Sequence, residues 1–317
     1  MAGRRRGVIA LRVGVSAALL GFLLSRVHLG SVFATGDNDT LPLLAVGLAV
    51  WFASIVLATV RWQRVLSALD LPSPLPPLLS HGLAGLFVAN FLPSTVGGDV
   101  VRVVRLAGDN GQAPASFASV ALDRLTGFVV LPFLSLTGLL LHPSLLRLGT
   151  ASRLAVALSL LTLLALVALL ALTASPRLGG RLADRPNWLR FVGAVHLGLD
   201  HLRRRPVAAA GVLIAAVCYQ LTVVAAVWVA AQALEISLGW GPALAFVPVM
   251  AIAQVLPVSF GGLGLREGAL VVLLAPLGVT TEQAIALGLA VYGLNLGVSL
   301  LGAPALAVGP RDARALA

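Results

Sequence analysis

The chain runs to 317 residues, of which 59% are hydrophobic and 11% charged. That is less than half the roughly 25% charge of a soluble domain, so the composition excludes a soluble globular fold. All 22 basic residues are arginine and the net charge is +10. They fall mostly between apolar runs, as loops facing an anionic leaflet do, which argues against a nucleic-acid partner. Lone Cys218 excludes a disulfide framework, and His28, His81, His142, His196 and His201 have no metal-ligand spacing.

In chain order, residues 1–7 carry Arg4, Arg5 and Arg6 ahead of an apolar run from Val8 to Leu24. No small-residue cleavage site follows before Arg26, so the run reads as a first span with its N-terminus inside. Leu41 to Val60 is the second span, closed by Arg61, Trp62 and Arg64 as an inner-interface anchor. The Pro-rich link from Leu71 to Pro77 precludes helix. Leu78 to Val96 is apolar and ends in a motif, Asn90-Phe-Leu-Pro93-Ser-Thr-Val-Gly97-Gly98-Asp99-Val-Val-Arg102. Only eleven residues, Gly97 to Ala107, separate its tip from the next polar loop. As helix they rise about 16 Å, half of the roughly 30 Å hydrocarbon core.

Ala113 to Leu141 is a span containing Asp123 and Arg124, and Leu154 to Ala174 is the next. Residues 175–206 form the longest polar stretch, with seven arginines and an apolar stripe through Trp188, Phe191, Val192, Val195, Leu199 and Leu202. This is an amphipathic helix on the inner surface or a loop helix packed on its neighbours. Val207 to Leu234 is a span. Ala243 to Leu256 leads into a second motif, Gln254-Val-Leu-Pro257-Val-Ser-Phe-Gly261-Gly262-Leu-Gly264-Leu-Arg266-Glu267, with Ala269 to Leu277 beyond it. Glu282 to Val308 is the last span.

Both motifs read amide, two residues, Pro, three residues, Gly-Gly, three residues, Arg. Pro and paired Gly break helices, and in hydrocarbon the freed backbone groups need protein or a wet cavity around them. Broken segments at corresponding places in two halves point to a transporter's binding site. The expected architecture is an all-α polytopic membrane protein with about six full spans and two re-entrant segments. It divides into a first half (1–174, motif 90–102), a cytoplasmic segment (175–206) and a second half (207–317, motif 254–267).

Arginine placement chooses this topology. Re-entrant motifs put seventeen arginines inside and four outside (Arg26, Arg147, Arg153 and Arg266), with Arg124 in the membrane. Crossing motifs would turn the seven-arginine stretch outward, against the positive-inside bias. Three spans separate the motifs, so one dips in from each side and the halves are inverted.

The chemistry concentrates at the motifs. Pro93, Gly97, Gly98, Pro257, Gly261, Gly262 and Gly264 supply the backbone turns. Arg102 and Arg266 each begin a short half-helix, whose N-terminal N–H groups with an arginine make an anion trap. Asp99 lies three residues before Arg102 on the same face, and Glu267 adjoins Arg266. Asp123 and Arg124 sit where an ion costs about 2.5–3.5 kcal/mol, so each needs a partner or a wet cavity. Asp99, Arg102, Arg266 and Glu267 are the natural partners. Arg102, Arg124 and Arg266 are expected to converge on one headgroup, with Asn90 and Gln254 at the motif starts. The alternative is that these pairs only tie the re-entrant loops to the bundle.

The Pro-x-x-x-Gly-Gly-Asp-x-x-Arg stretch, the Asp123-Arg124 pair and the late Pro-x-x-x-Gly-Gly-x-Gly-x-Arg-Glu resemble the lysylphosphatidylglycerol synthase transmembrane region, also called the flippase-like family. The resemblance covers nearly the whole chain. The expected middle motif is Glu-Arg, so Asp123 shortens the acid by one methylene. The resemblance implies movement of an aminoacylated or otherwise modified lipid across a plasma membrane, with archaeal relatives pointing to polyprenyl carriers. Larger members carry a soluble transferase domain; this chain stops at Ala317, so lysyl transfer is not expected. The expected partners are membrane lipids and a separate lipid synthase or glycosyltransferase, with no cofactor. A small-solute transporter and a membrane-embedded transferase are the competing readings.

Overall fold

The computed structural model describes residues 40–91, 96–174, 199, 201, 203–254 and 264–307. The expected first span, most of the 175–206 segment, and Pro93, Pro257, Gly261 and Gly262 lie outside these residues. The described elements are helices: α1 (Thr40–Ala68), α2 (Leu75–Phe91), α3 (Val96–Asn110), α4 (Ala113–Leu141), α5 (Thr150–Ala174), α6 (Pro206–Ala233), α7 (Trp240–Gln254), α8 (Leu265–Leu274), α9 (Thr281–Ser299) and α10 (Gly302–Ala307). Helices α1, α4, α5 and α6 are each long and apolar enough to cross a membrane. The chain is a multi-pass, all-α membrane protein.

Local chemistry sets the helix starts. Pro114 and Pro206 occupy first-turn positions of α4 and α6, where the missing N–H is not needed. The same rule corrects the expectation for the Pro-rich link: α2 begins at Leu75, with Pro76 and Pro77 in its first turn. Thr280 caps α9 by accepting the Gln283 N–H at 3.2 Å, and the Gln283 amide accepts the Thr280 N–H at 3.1 Å. Helix α1 continues eight residues past Val60, to Ala68. Arg61 and Trp62, read above as an interface anchor, therefore face the protein interior at 6% and 0% exposure.

Contacts along the helices fix their directions. Helices α1 and α6, the most extensively packed pair, run antiparallel: Gly47 meets Val229, Arg61 meets Tyr219 and Asp70 meets Arg205. The alanines and glycines along both helices allow that approach. Each helix ends in a left-handed residue, Asp70 (φ 58°) and Glu235 (φ 55°). The Arg205 guanidinium takes both Asp70 oxygens, at 2.7 and 3.0 Å, and that bond holds the exposed Asp70 carboxyl below its usual range.

The end of α1 and the start of α4 lie together, because Trp62 Nε1 donates to Ser119 Oγ at 3.1 Å and Val65 clusters with Leu122. The α2–α3 hairpin between them thus enters and leaves at one end of the bundle. At the opposite end, His142 after α4 sits against Gly241 at the start of α7. Helix α9 runs antiparallel to α2, with Asn295 at Asn90 and Gly302 against Leu83 and Phe87. It therefore begins at that same opposite end, and the α7–α8 hairpin enters and leaves there. A shift of 164 residues, the separation of Arg102 from Arg266, carries α1 onto α6, α2 onto α7 and α4 onto α9.

Candidate functional site: a polar cleft beside the first hairpin

Hairpin α2–α3 closes on glycine. A Cβ on Gly85 would stand 2.7 Å from the Gly98 carbonyl oxygen, and one on Gly98 would stand 2.5 Å from that of Gly85. Backbone meets backbone there, so only glycine fits. The close approach sets α3 with its first turns, carrying Asp99 and Arg102, beside α1 and α4.

The four charged residues read from the first motif and the following span come together as a network. Arg102 Nη2 donates to Asp123 Oδ2 at 2.7 Å, and its Nη1 approaches Asp99 Oδ1 at 3.4 Å. Arg124 Nε donates to the other Asp99 oxygen at 2.7 Å. Asp123 and Arg124 thus pair with different groups, as helical neighbours about 100° apart must. The fifth member is Arg61, whose Nε donates to Asp123 Oδ1 at 2.7 Å. Asp123 is 1% exposed and held between two guanidiniums. One indole and one phenol complete the set: Arg102 stacks on Trp62 at 4.2 Å and Arg61 on Tyr219 at 4.9 Å.

These side chains line a cavity of about 210 Å³, bounded also by Thr59, Gly82, Gly85 and Gly98. That is room for several waters or a compact polar group. Among the described residues, three guanidiniums face two carboxylates, one positive charge in surplus. The buried Arg61 Nη1 and Arg102 Nε have no acceptor among the described residues. An unsatisfied buried donor costs about 1–3 kcal/mol, so each of these two would gain from an acceptor that reached it. Arg124, 43% exposed at its side chain, stands at the rim.

The second motif is built otherwise. Arg266 and Glu267 are 4% and 0% exposed and pair with each other, through Nη2 at 2.7 Å and Nε at 3.1 Å to Oε1. Glu267 Oε2 accepts the Gly264 N–H at 2.7 Å, and Gly264 takes φ 83°, a left-handed value suited to glycine. Tyr292 lies 5.3 Å under the Arg266 guanidinium, and Gly288 leaves room for the Glu267 side chain. Arg266 does not line the cavity with Arg102 and Arg124. Its neighbouring carboxylate uses up its charge in capping α8, so the expected convergence of three arginines is replaced by Arg61, Arg102 and Arg124.

Asn90 Nδ2 donates to Asn295 Oδ1 at 3.4 Å, linking α2 to α9, whereas Gln254 Nε2 donates to Met250 O in its own helix at 3.4 Å. Gly97 and Gly98, expected to turn the backbone, instead lie in the first turn of α3, and neither has a left-handed φ. Sequence reasoning missed Arg61, Trp62, Tyr219, Gly85 and Gly127. A Cβ on Gly127 would lie 2.6 Å from Arg61 Nη1. The usable signal was the apolar run that resumes with Val65 and Leu66, which marks Arg61 as lying inside a helix rather than at its end.

Fold and cleft together define a polytopic membrane protein with a broken hairpin beside a cationic cavity. The model of the lysylphosphatidylglycerol synthase transmembrane region matches residues 9–302, and the chain belongs to that family. The family ties the chain to lipid-related function in a membrane, and its membrane region is a domain separate from the catalytic transferase. No curated protein matches the sequence.

Proposed function

We propose that this protein moves a lipid with an anionic or modified headgroup, phospholipid or polyprenyl-linked, across the inner membrane in a flippase-like manner. The surplus positive charge of the Arg61–Arg102–Arg124 cavity, within apolar helices, carries this reading. A phosphate-bearing headgroup would take the free donors of Arg61 and Arg102, while its acyl chains stay in the bilayer. Residues 1–174 and 207–317 act as inverted halves, each with a hairpin entered from its own side, the architecture of alternating access around a midplane site. Both termini and the arginine-rich 175–206 segment face the cytoplasm. The Arg266–Glu267 pair anchors the second hairpin. No chemical step is assigned to Asp123 or Glu267, because Asp123 is committed to two arginines and Glu267 to Arg266 and Gly264. A separate synthase or glycosyltransferase supplies the lipid.

The test is lipid identification by mass spectrometry on gently purified protein. One anionic lipid class should be retained by the native chain and lost in Arg61→Ala/Arg102→Ala. Equal lipid profiles in both proteins would overturn the headgroup site and favour a small aqueous solute.

A further inference from the structure

A second buried charged cluster lies at the base of the first hairpin, apart from the cleft. His81 on α2 is 3% exposed. Its Nε2 lies 2.6 Å from Asp109 Oδ2, and its Nδ1 lies 3.0 Å from Arg105 Nε, both partners being on α3. A guanidinium nitrogen can only donate. Nδ1 must therefore present its lone pair to Arg105, and the ring's one proton sits on Nε2, donated to Asp109. The contacts themselves fix a neutral imidazole of one tautomer.

We propose that His81 is a proton-binding site that couples pH to the first hairpin. A proton delivered by hydronium adds to the Nδ1 lone pair and leaves a water molecule; nothing is oxidised or reduced. The acceptor becomes a donor, so the Arg105 N–H···Nδ1 bond is lost and two cations face each other. Asp109 provides the place for Arg105 to go. It lies four residues further along the same helix, its side chain is 27% exposed, and its buried Oδ1 has no hydrogen-bond partner. With Arg105 turned to Asp109 inside α3, the Arg105–His81 link between the hairpin arms is gone. The Gly85–Gly98 contact nearer the tip then serves as the pivot. Arg105 is one turn beyond Arg102, and Gly82, which adjoins His81, lines the cavity. Loosening the base therefore reaches the cleft.

Asp109 and Arg105 are the charged groups that face His81 among the described residues. Of the other helices packed on α2, α10 has no charged residue and α9 has Glu282, in its first turn. Helix α1 has Arg61, bound to Asp123, and the exposed Arg64. The inference deepens the transport reading by naming a coupling ion, the proton, but its test needs no lipid substrate.

In reconstituted full-length protein with Cys218→Ala, Ala58→Cys in the cavity wall reports access of a thiol reagent. Labelling should quicken several-fold as pH falls from about 8 to about 5, the range in which histidine changes charge. Gln keeps a donor and an acceptor but cannot take the proton, so His81→Gln should label slowly throughout. Arg105→Gln removes the displaced cation and should label fast throughout. A pH response that survives in His81→Gln, or is missing from the parent, overturns the proposal. Should His81→Gln not fold, ring ¹⁵N shifts of the native chain decide. They should move from an Nε2–H tautomer to a doubly protonated ring across that range, and an unchanged spectrum overturns the site. A pH-gated cavity that retains no lipid would leave the proton site standing and remove only the lipid reading.

Discussion

At the scale of single residues, the cleft is an ion network whose members are not equivalent. Asp123 is its hub, because it is the more deeply buried carboxylate and meets two guanidiniums. Removing one partner of a buried pair costs about 3–5 kcal/mol, since an uncompensated charge stays behind. Asp123→Ala should therefore lower thermal stability by that order, and Asp123→Asn should lose most of it too, as an amide cannot offset two cations. Arg102→Lys differs: it keeps the charge but loses the fork that reaches both Asp123 and Asp99. It should fold, with stability read from a melting curve, yet retain less anionic lipid than the native chain. If it instead fails to fold, Arg102 is a structural tie. Asp99, Arg102, Asp123 and Arg124 were legible in the sequence, because ions within apolar runs must find one another. Arg61 was not, because it follows twenty apolar residues and so imitates a span's edge. Nor was the separation of Arg266, since a motif match carries no information about a side chain already satisfied by its neighbour.

At the scale of elements, the hairpins were legible because a motif with Pro and paired Gly falls between apolar runs too short to span, although Gly97 and Gly98 themselves lie inside α3. Their packing was not, since a glycine's contact partner is set by the fold. Gly98 stood in the motif, whereas Gly85 looked like any glycine in an apolar helix. The two kinds of glycine around the cleft should respond differently to alanine. A methyl at Gly98 meets the Gly85 carbonyl at 2.5 Å, a backbone atom that moves only if the whole hairpin opens. Overpacking of this kind costs about 1–3 kcal/mol or more. A methyl at Gly127 meets the end of the Arg61 side chain, which can rotate. Gly98→Ala should thus lower the melting temperature clearly, while Gly127→Ala should change it little but displace Arg61 and weaken lipid retention. Equal melting temperatures for Gly98→Ala and the native protein would contradict the backbone contact.

At the scale of the whole molecule, the chain joins two like arrangements running in opposite directions. The sequence points to this through one repeated motif and the expected parity of spans between its copies. It could not disclose that α1 and α6 pack against each other along their lengths, for their register depends on alanine and glycine spacing without a charged marker until Asp70 and Arg205. Adding charge to this geometry gives a sidedness that can be tested. The bundle end holding the close of α1 and the start of α6 also holds Arg64, Arg203, Arg204 and Arg205, whereas Arg147 lies at the other end, just before α5. An excess of arginine marks the cytoplasmic side, so the α2–α3 hairpin should open inward and the α7–α8 hairpin outward. In a Cys218→Ala background, single cysteines at Arg147 and Arg203, both exposed, test the assignment in intact cells. An impermeant thiol reagent added outside should label Arg147→Cys at once and reach Arg203→Cys only after permeabilisation. The reverse pattern would invert the molecule and place the cationic cleft's hairpin on the outer side. Labelling of both sites from outside would mean that α5 does not cross, and the inverted arrangement would fall with it.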